Sequence, residues 1–258
     1  MMGAMGREHG RWQKPAVSAL RPVFSALWRV RAVGLEHLPR SGPAILAPNH
    51  TSVIDSFFLP AALPRRITFV GKAEYLDDWK TRRLFPALGM IPIDRSGGGA
   101  AADALDTAAR LLEDGELFGI YPEGTRARDG FLHKGHTGAA RLSLRTGAPI
   151  VPVGILGTRS IQPPDARFPK PFRPVEIRFG RPIRPAATET IADSRLRLRQ
   201  ITDAVMFEIR ALTGQTYVDE YATKPAVAAA TTAPAAAGSD AVSSGRRSSA
   251  DVLRPAAV

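Results

Sequence analysis

His50 and Asp55, five residues apart in Pro48-Asn49-His50-Thr51-Ser52-Val53-Ile54-Asp55, are residue types that together move protons. A carboxylate bonded to one imidazole nitrogen fixes the tautomer and stabilises the imidazolium, which leaves the other nitrogen to take a proton from an alcohol. The spacing sets a condition on this chemistry. On one continuous helix, five residues turn the chain by about 500° and leave the two side chains ~140° apart. They meet only if the helix begins near Ser52 and His50 sits in the preceding turn. The same residues also spell a capping box, with Ser52 as N-cap and Asp55 at N3, in which case His50 is an ordinary residue at a strand end. There is no cysteine and no G-x-S-x-G elbow. A His–Asp pair here would therefore act without a protein nucleophile, directly on a substrate hydroxyl.

Two further segments carry groups suited to an anion. Gly89-Met90-Ile91-Pro92-Ile93-Asp94-Arg95 reads as a strand ending in Asp-Arg, followed by Ser96 and three glycines. Ligands of open α/β sheets bind at such carboxyl ends, so Arg95 can meet a phosphate there; the alternative is a surface arginine paired with Asp94. Tyr121-Pro122-Glu123-Gly124-Thr125-Arg126 follows another apolar strand. Gly124 permits close backbone approach, Thr125 offers a hydroxyl, Arg126 a bidentate fork, and Glu123 a group to orient that fork. Taken alone, this segment is read more simply as a tight turn with a solvent salt bridge. Ala148-Pro149-Ile150-Val151-Pro152-Val153-Gly154 has no chemistry of its own, and its prolines mark an edge or a bend of the sheet.

The elements that must hold these residues alternate. Short apolar runs at Ala44–Ala47, Ile67–Val70, Met90–Ile93, Leu117–Tyr121, Ile150–Leu156 and Val175–Phe179 read as strands. Helical periodicity marks Val53–Ala62, Trp79–Leu88, Ala101–Glu113, Gly138–Arg145 and a last helix over 195–212. The pattern predicts an α/β fold, a mixed and mostly parallel sheet flanked by helices. Upstream, residues 15–31 place Val17, Leu20, Phe24, Leu27 and Trp28 on one helical face and Lys14, Arg21 and Arg29 on the other. This suits a helix lying in a membrane interface, kinked at Pro22, or equally one docked on the protein's own core. Domain boundaries fall at a basic amphipathic segment (1–32), a main domain (33–222) and an Ala/Pro/Ser-rich tail (223–258) too poor in large apolar residues to fold.

Net charge is +11, and residues 1–31 alone hold +5. A basic excess selects polyanionic partners, either nucleic acid or an anionic membrane surface. Aromatic residues are 7% of the chain and are not interleaved with Lys and Arg, which argues against a single-stranded nucleic-acid platform. No apolar run reaches the ~20 residues of a spanning helix, and no signal peptide is recognisable, so the expected location is peripheral. His133 and His136 lack acidic neighbours at ligand spacing and read as exposed loop histidines rather than a metal site.

In order, Asn49–Asp55, Gly89–Arg95, Tyr121–Arg126 and Val151–Val153 resemble the N-H-x4-D, G-x-I-x-x-D/N-R, F/Y-P-E-G-T-R-S and V-P-V/I blocks of the glycerolipid acyltransferase family, the bacterial 1-acyl-glycerol-3-phosphate acyltransferases in particular. The resemblance covers roughly Val33 to Ile183. It implies that His50 is the general base and Asp55 its partner. Arg95, Glu123, Gly124, Thr125 and Arg126 would form the acceptor's phosphate site. Lys72 matches a basic position between the first two blocks and would add a second phosphate contact. The Val151–Val153 stretch would lie near the acyl donor. Ala127 stands where the family usually has Ser. The implied substrates are lysophosphatidic acid or a related lysolipid, with glycerol 3-phosphate as an alternative acceptor, and an acyl-CoA or acyl-carrier-protein thioester as co-substrate. Neither a cofactor nor a metal is implied, and the implied place of work is the cytoplasmic face of the cell membrane. The tetrahedral oxyanion of such a transfer needs donors, for which backbone N–H groups at the helix starting near Ser52 are the expectation.

Overall fold

The computed structural model describes residues 22, 24, 26–72, 89–93, 100–184 and 194–223. The apolar runs form one seven-stranded sheet. Its strands are β1 (Arg29–Val33), β2 (Ala44–Pro48), β3 (Ile67–Lys72), β4 (Met90–Ile93), β5 (Leu117–Gly119), β7 (Ile150–Leu156) and β8 (Pro174–Phe179), in the order β1-β8-β7-β2-β5-β3-β4. Every pairing is parallel except β7 with β8. A separate two-stranded pairing joins β6 (Leu132–His133) to β9 (Tyr217–Val218). The helices are α1 (Asp55–Ala62), α2 (Ala100–Glu113), α3 (Gly138–Thr146), α4 (Thr158–Ile161) and α5 (Ser194–Thr213).

Burial on both faces explains why the central strands are apolar throughout rather than alternating. In β2, Ala44 and Leu46 join a core on one face with Phe58 and Leu59 of α1, while Ile45 and Ala47 join a core on the other with Ala108 and Leu112 of α2, Leu142 of α3 and Ile209 of α5. Leu105, Ala108 and Leu112, spaced three and four residues apart, form the face of α2 that packs.

The end of the expected 15–31 helix is different. Its last turn stops at Leu27, and Arg29–Val33 is an edge strand paired in parallel with β8. The sheet therefore begins inside the segment expected to lie outside the main domain. Phe24 and Trp28 pack on Phe58, with ring centroids at 5.0 and 5.4 Å. Burying Phe58, which is 1% exposed, contributes roughly 1.5–3 kcal/mol. Where this segment is described, its aromatic face covers the protein's own core. Pro152 of β7, and Pro149 just before it, mark no edge, because β7 lies between β2 and β8. Pro152 keeps its carbonyl in the ladder, accepting the Gly180 N–H at 2.8 Å, and it sits one residue before the β7–β8 pairing starts at Val153. The expected helix over 79–88, Arg95, the glycines after it and the tail from 224 lie outside the described residues. No helix among the described residues is long and apolar enough to cross a membrane.

Candidate active site

Parallel pairing gives β2, β3, β4, β5 and β7 a common carboxyl-terminal rim, and the polar segments all leave from it. At the rim, Asn49 lets the chain leave the sheet without orphaning its neighbour. Its side-chain amide takes the Ile155 N–H at 2.7 Å and donates to the Ile155 carbonyl at 3.1 Å, continuing the ladder in place of backbone. The same amide nitrogen donates to Gln215 Oε1 at 2.9 Å. His50 is the next residue, in a turn that precedes α1.

That turn is organised by one oxygen. Asp55 Oδ2 lies 3.0 Å from His50 Nδ1, and it also accepts the Thr51 N–H at 2.9 Å and the Ser52 N–H at 2.8 Å. A carboxylate is an acceptor only, so Nδ1 carries the proton and Nε2 is the basic nitrogen. Nε2 has no protein partner among the described residues. The Asp55 side chain is fully buried, whereas that of His50 is 15% exposed. The carboxylate reaches back to the Ser52 N–H as a capping group does, and the same oxygen holds the imidazole. The helix itself starts at Asp55 with Ile54 as N-cap, two residues later than the capping box places it, and the Ser52 hydroxyl donates instead to the Gln162 carbonyl at 2.9 Å. The Thr51 and Ser52 N–H groups are taken by Asp55.

A column of rings supports the imidazole from the side. Tyr121 stacks on His50 with centroids 3.9 Å apart and planes 19° from parallel, and Phe69 stacks behind Tyr121 at 5.7 Å. Phe69 fits because residue 119 is glycine: a Cβ there would come within 2.1 Å of the ring. The Tyr121 hydroxyl pairs with Ser56 Oγ at 3.0 Å, and burial pushes its phenol far above the ordinary range, so it stays neutral.

Glu123 departs from its expected place in a phosphate site. It is 1% exposed and spends both oxygens on backbone: Oε1 accepts the His50 N–H and Oε2 the His133 N–H, each at 3.0 Å. Burial raises this carboxyl to about 7, against those two hydrogen bonds, which lower it. Glu123 therefore clamps the His50 turn to β6 and orients no arginine among the described residues. His133 is likewise no exposed loop residue, since its ring lies 2.9 Å from Asp129 Oδ2 and its side chain is 12% exposed.

The Acyltransferase family model matches residues 29–156, about half of the chain, and begins at the first residue of β1. The chain belongs to the glycerolipid acyltransferase family. Among relatives, it is 31% identical over 137 residues to a chloroplastic 1-acyl-sn-glycerol-3-phosphate acyltransferase of Arabidopsis thaliana, covering 53% of this chain and 38% of the plant protein. It is 28% identical over 148 residues to the 1-acyl-sn-glycerol-3-phosphate acyltransferase of Bacillus subtilis (strain 168), covering 57% of this chain and 72% of that one. The match thus spans well under half the length of the plant relative. The crystal structure of the 1-acyl-sn-glycerophosphate acyltransferase from Thermotoga maritima shares the fold, with a TM-score of 0.57, 23% identity and 80% of each chain covered.

Of the remaining expected site residues, Gly124, Thr125 and Arg126 follow β5 at the same rim, and the backbone of Lys72 reaches it at the end of β3. Gly124 has φ +71°, and a Cβ on it would meet the His136 ring at 2.9 Å. The loop is tied to the His50 turn by the Ala127 N–H, which donates to the His50 carbonyl at 2.7 Å. Thr125 and Arg126 are half-buried beside it, and the Arg126 guanidinium has no hydrogen bond or ion pair among the described residues. Lys72 ends β3 opposite Ile93 of β4; counting the β3–β5 and β2–β5 registers forward by three residues brings its backbone level with Pro122 and Asn49. Arg95 follows β4 by two residues and lies outside the described residues. Residue spacing missed Asn49, Tyr121 and Gln215 as positioning groups. Asn49 and Tyr121 lie inside the quoted motifs and Gln215 far beyond them, and the roles of all three depend on contacts across 65 to 166 residues of sequence.

Proposed function

We propose that this chain transfers a fatty acyl group from a thioester, acyl-CoA or acyl-carrier protein, to the sn-2 hydroxyl of 1-acyl-glycerol 3-phosphate, a step that makes phosphatidic acid for phospholipid synthesis. The observation that carries the proposal is the His50–Asp55 pair: a carboxylate on Nδ1 with Nε2 open at the rim, and no serine or threonine hydroxyl bonded to the ring among the described residues. Nε2 takes the proton of the acceptor hydroxyl as that oxygen attacks the thioester carbonyl. The tetrahedral intermediate collapses, the carbon–sulfur bond breaks, and the imidazolium returns its proton to the leaving thiolate. Asp55 holds the ring and balances the charge that develops on it. The acceptor phosphate is bound by Arg126, with Lys72 at the end of β3 and Arg95, two residues after β4 in sequence, as further cations. Val151–Val153 of β7 lies on the side of the donor. The names of the plant and Bacillus relatives support the lysophosphatidate acceptor, and the location is peripheral, on the cytoplasmic face of the membrane. No cofactor, metal or nucleic acid enters this scheme.

The test is an assay of the purified chain with acyl-CoA and with acyl-carrier-protein thioesters against lysophosphatidate, glycerol 3-phosphate and lysophosphatidylcholine. Turnover is expected to be highest with lysophosphatidate. A preference for glycerol 3-phosphate would move the protein to a different acceptor, and turnover on none of them would sink the proposal.

A further inference from the structure

Among the described large apolar residues, Phe168 and Phe172 are the most exposed, at 73% and 69%. Both stand in the loop between α4 and β8, in the run Pro163-Pro164-Asp165-Ala166-Arg167-Phe168-Pro169-Lys170-Pro171-Phe172-Arg173-Pro174. Paired apolar rings in water are unfavourable unless something covers them. The loop is held in place rather than loose. The Lys170 N–H donates to the Ile161 carbonyl at 2.8 Å and the Phe172 N–H to the Leu27 carbonyl at 2.6 Å, while Trp28 Nε1 donates to the Lys170 carbonyl at 2.9 Å. Its prolines restrict the backbone further. Phe172 has φ 60°, the only positive value at a described non-glycine residue, so the fold sustains a strained backbone while the ring stays in solvent.

Charge accompanies the rings. Arg167, Lys170 and Arg173 are exposed in the same loop, and its one acid, Asp165, is paired with Arg128. Arg167 lies over the Phe168 ring at 5.5 Å. We propose that this loop is a membrane-docking element, with Phe168 and Phe172 entering the acyl layer of an anionic leaflet and Arg167, Lys170 and Arg173 meeting its phosphates. The position suits the task. Gln162, at the foot of the loop, accepts the Ser52 hydroxyl in the His50 turn, and Thr158 of α4 touches Thr51. A leaflet bound at the loop therefore lies next to the site that needs its lipid. Arg29, whose N–H donates to the Arg173 carbonyl, is exposed and adds a further cation beside the loop. The inference rests on the reading that the acceptor is a membrane lipid, and it adds which surface meets the membrane.

The full chain is mixed with phosphatidylcholine vesicles containing one-third phosphatidylglycerol, and bound protein is measured by sedimentation. Phe168→Ser with Phe172→Ser is expected to lower vesicle affinity at least about tenfold. Arg167→Gln with Lys170→Gln and Arg173→Gln should do the same and flatten the salt dependence. Both variants should keep wild-type melting temperatures and wild-type turnover on a water-soluble, short-chain lysophosphatidate. As an independent probe, the tryptophan of Phe168→Trp should be quenched by brominated lipid beyond the wild-type level. Wild-type vesicle affinity in both variants, or no added quenching, overturns the proposal. So does a loss confined to turnover with acyl-carrier-protein donors, which would make the loop a protein-docking surface. If the variants lose vesicle binding and the wild type acylates no lysolipid, the docking element stands and the proposed reaction falls.

Discussion

The Tyr121 ring lies flat against the His50 imidazole, with centroids 3.9 Å apart, on the side of the ring that the Asp55 bond does not control. Asp55 fixes one nitrogen and leaves rotation about that contact open; the stacked phenol removes it. Tyr121→Phe keeps the ring and loses only the 3.0 Å contact with Ser56, so its kcat should stay close to wild type. Tyr121→Ala should lower kcat by about 10²-fold, the scale of an ångström-sized misplacement of a reacting group. Equal kcat in the two variants would mean that the stack positions nothing.

Asp55 serves the turn and the imidazole through one oxygen, which makes its two roles separable. In Asp55→Asn the amide oxygen can still accept the Thr51 and Ser52 N–H groups. The amide nitrogen then falls where Oδ1 is buried with no protein partner, at a penalty of about 1–3 kcal/mol. Loss of the carboxylate charge should cut kcat by roughly 10²–10⁴-fold. A variant that melts far lower but turns over normally would make Asp55 a helix cap alone.

Glu123 ties stability to pH. Its carboxyl is raised from 4.5 to about 7, so the folded protein holds this proton more tightly than the unfolded chain. Unfolding between those values releases a proton, and stability falls as pH rises. The stabilisation is complete below about pH 4.5 and is lost on passing through about 7, with an upper scale of about 3 kcal/mol. Thermal melts across this window should show a steeper decline for wild type than for Glu123→Gln, which has nothing to titrate. Parallel curves would place the carboxyl's proton elsewhere.

Gly119 acts on the site through packing alone. Gly119→Ala drives a methyl group into the Phe69 ring, which must move, and Tyr121 stacks on that ring. Overpacking of this kind costs about 1–3 kcal/mol. A fall in melting temperature should come with a fall in kcat, although residue 119 touches no substrate. Undiminished kcat in a destabilised variant would uncouple the ring column from the imidazole.

The same contrast runs through the comparison of sequence with structure. His50 and Asp55 were legible because proton chemistry needs those two residue types, and the helix turn restricts how they meet. The strands β2, β5 and β7 were legible because burial on both faces requires unbroken apolar runs, and β8 because Val175, Ile177 and Phe179 alternate with Glu176 and Arg178. Edge strand β1 was hidden inside a helical periodicity, since Arg29–Val33 alternates in exposure and carries no turn signal before it. The two-residue strands β6 and β9 are too short to leave a pattern. Glu123 reads as an arginine partner beside Arg126, yet its true partners are N–H groups of His50 and His133, which no residue type announces.

The most direct test of the account is the turnover of purified His50→Gln with lysophosphatidate and a saturating acyl thioester. The imidazole is the only group given the proton in the proposed reaction, and its side chain is partly exposed, so the variant should fold with a melting temperature near wild type. The account predicts a kcat reduced about 10³-fold. A folded variant that acylates at the wild-type rate would contradict it.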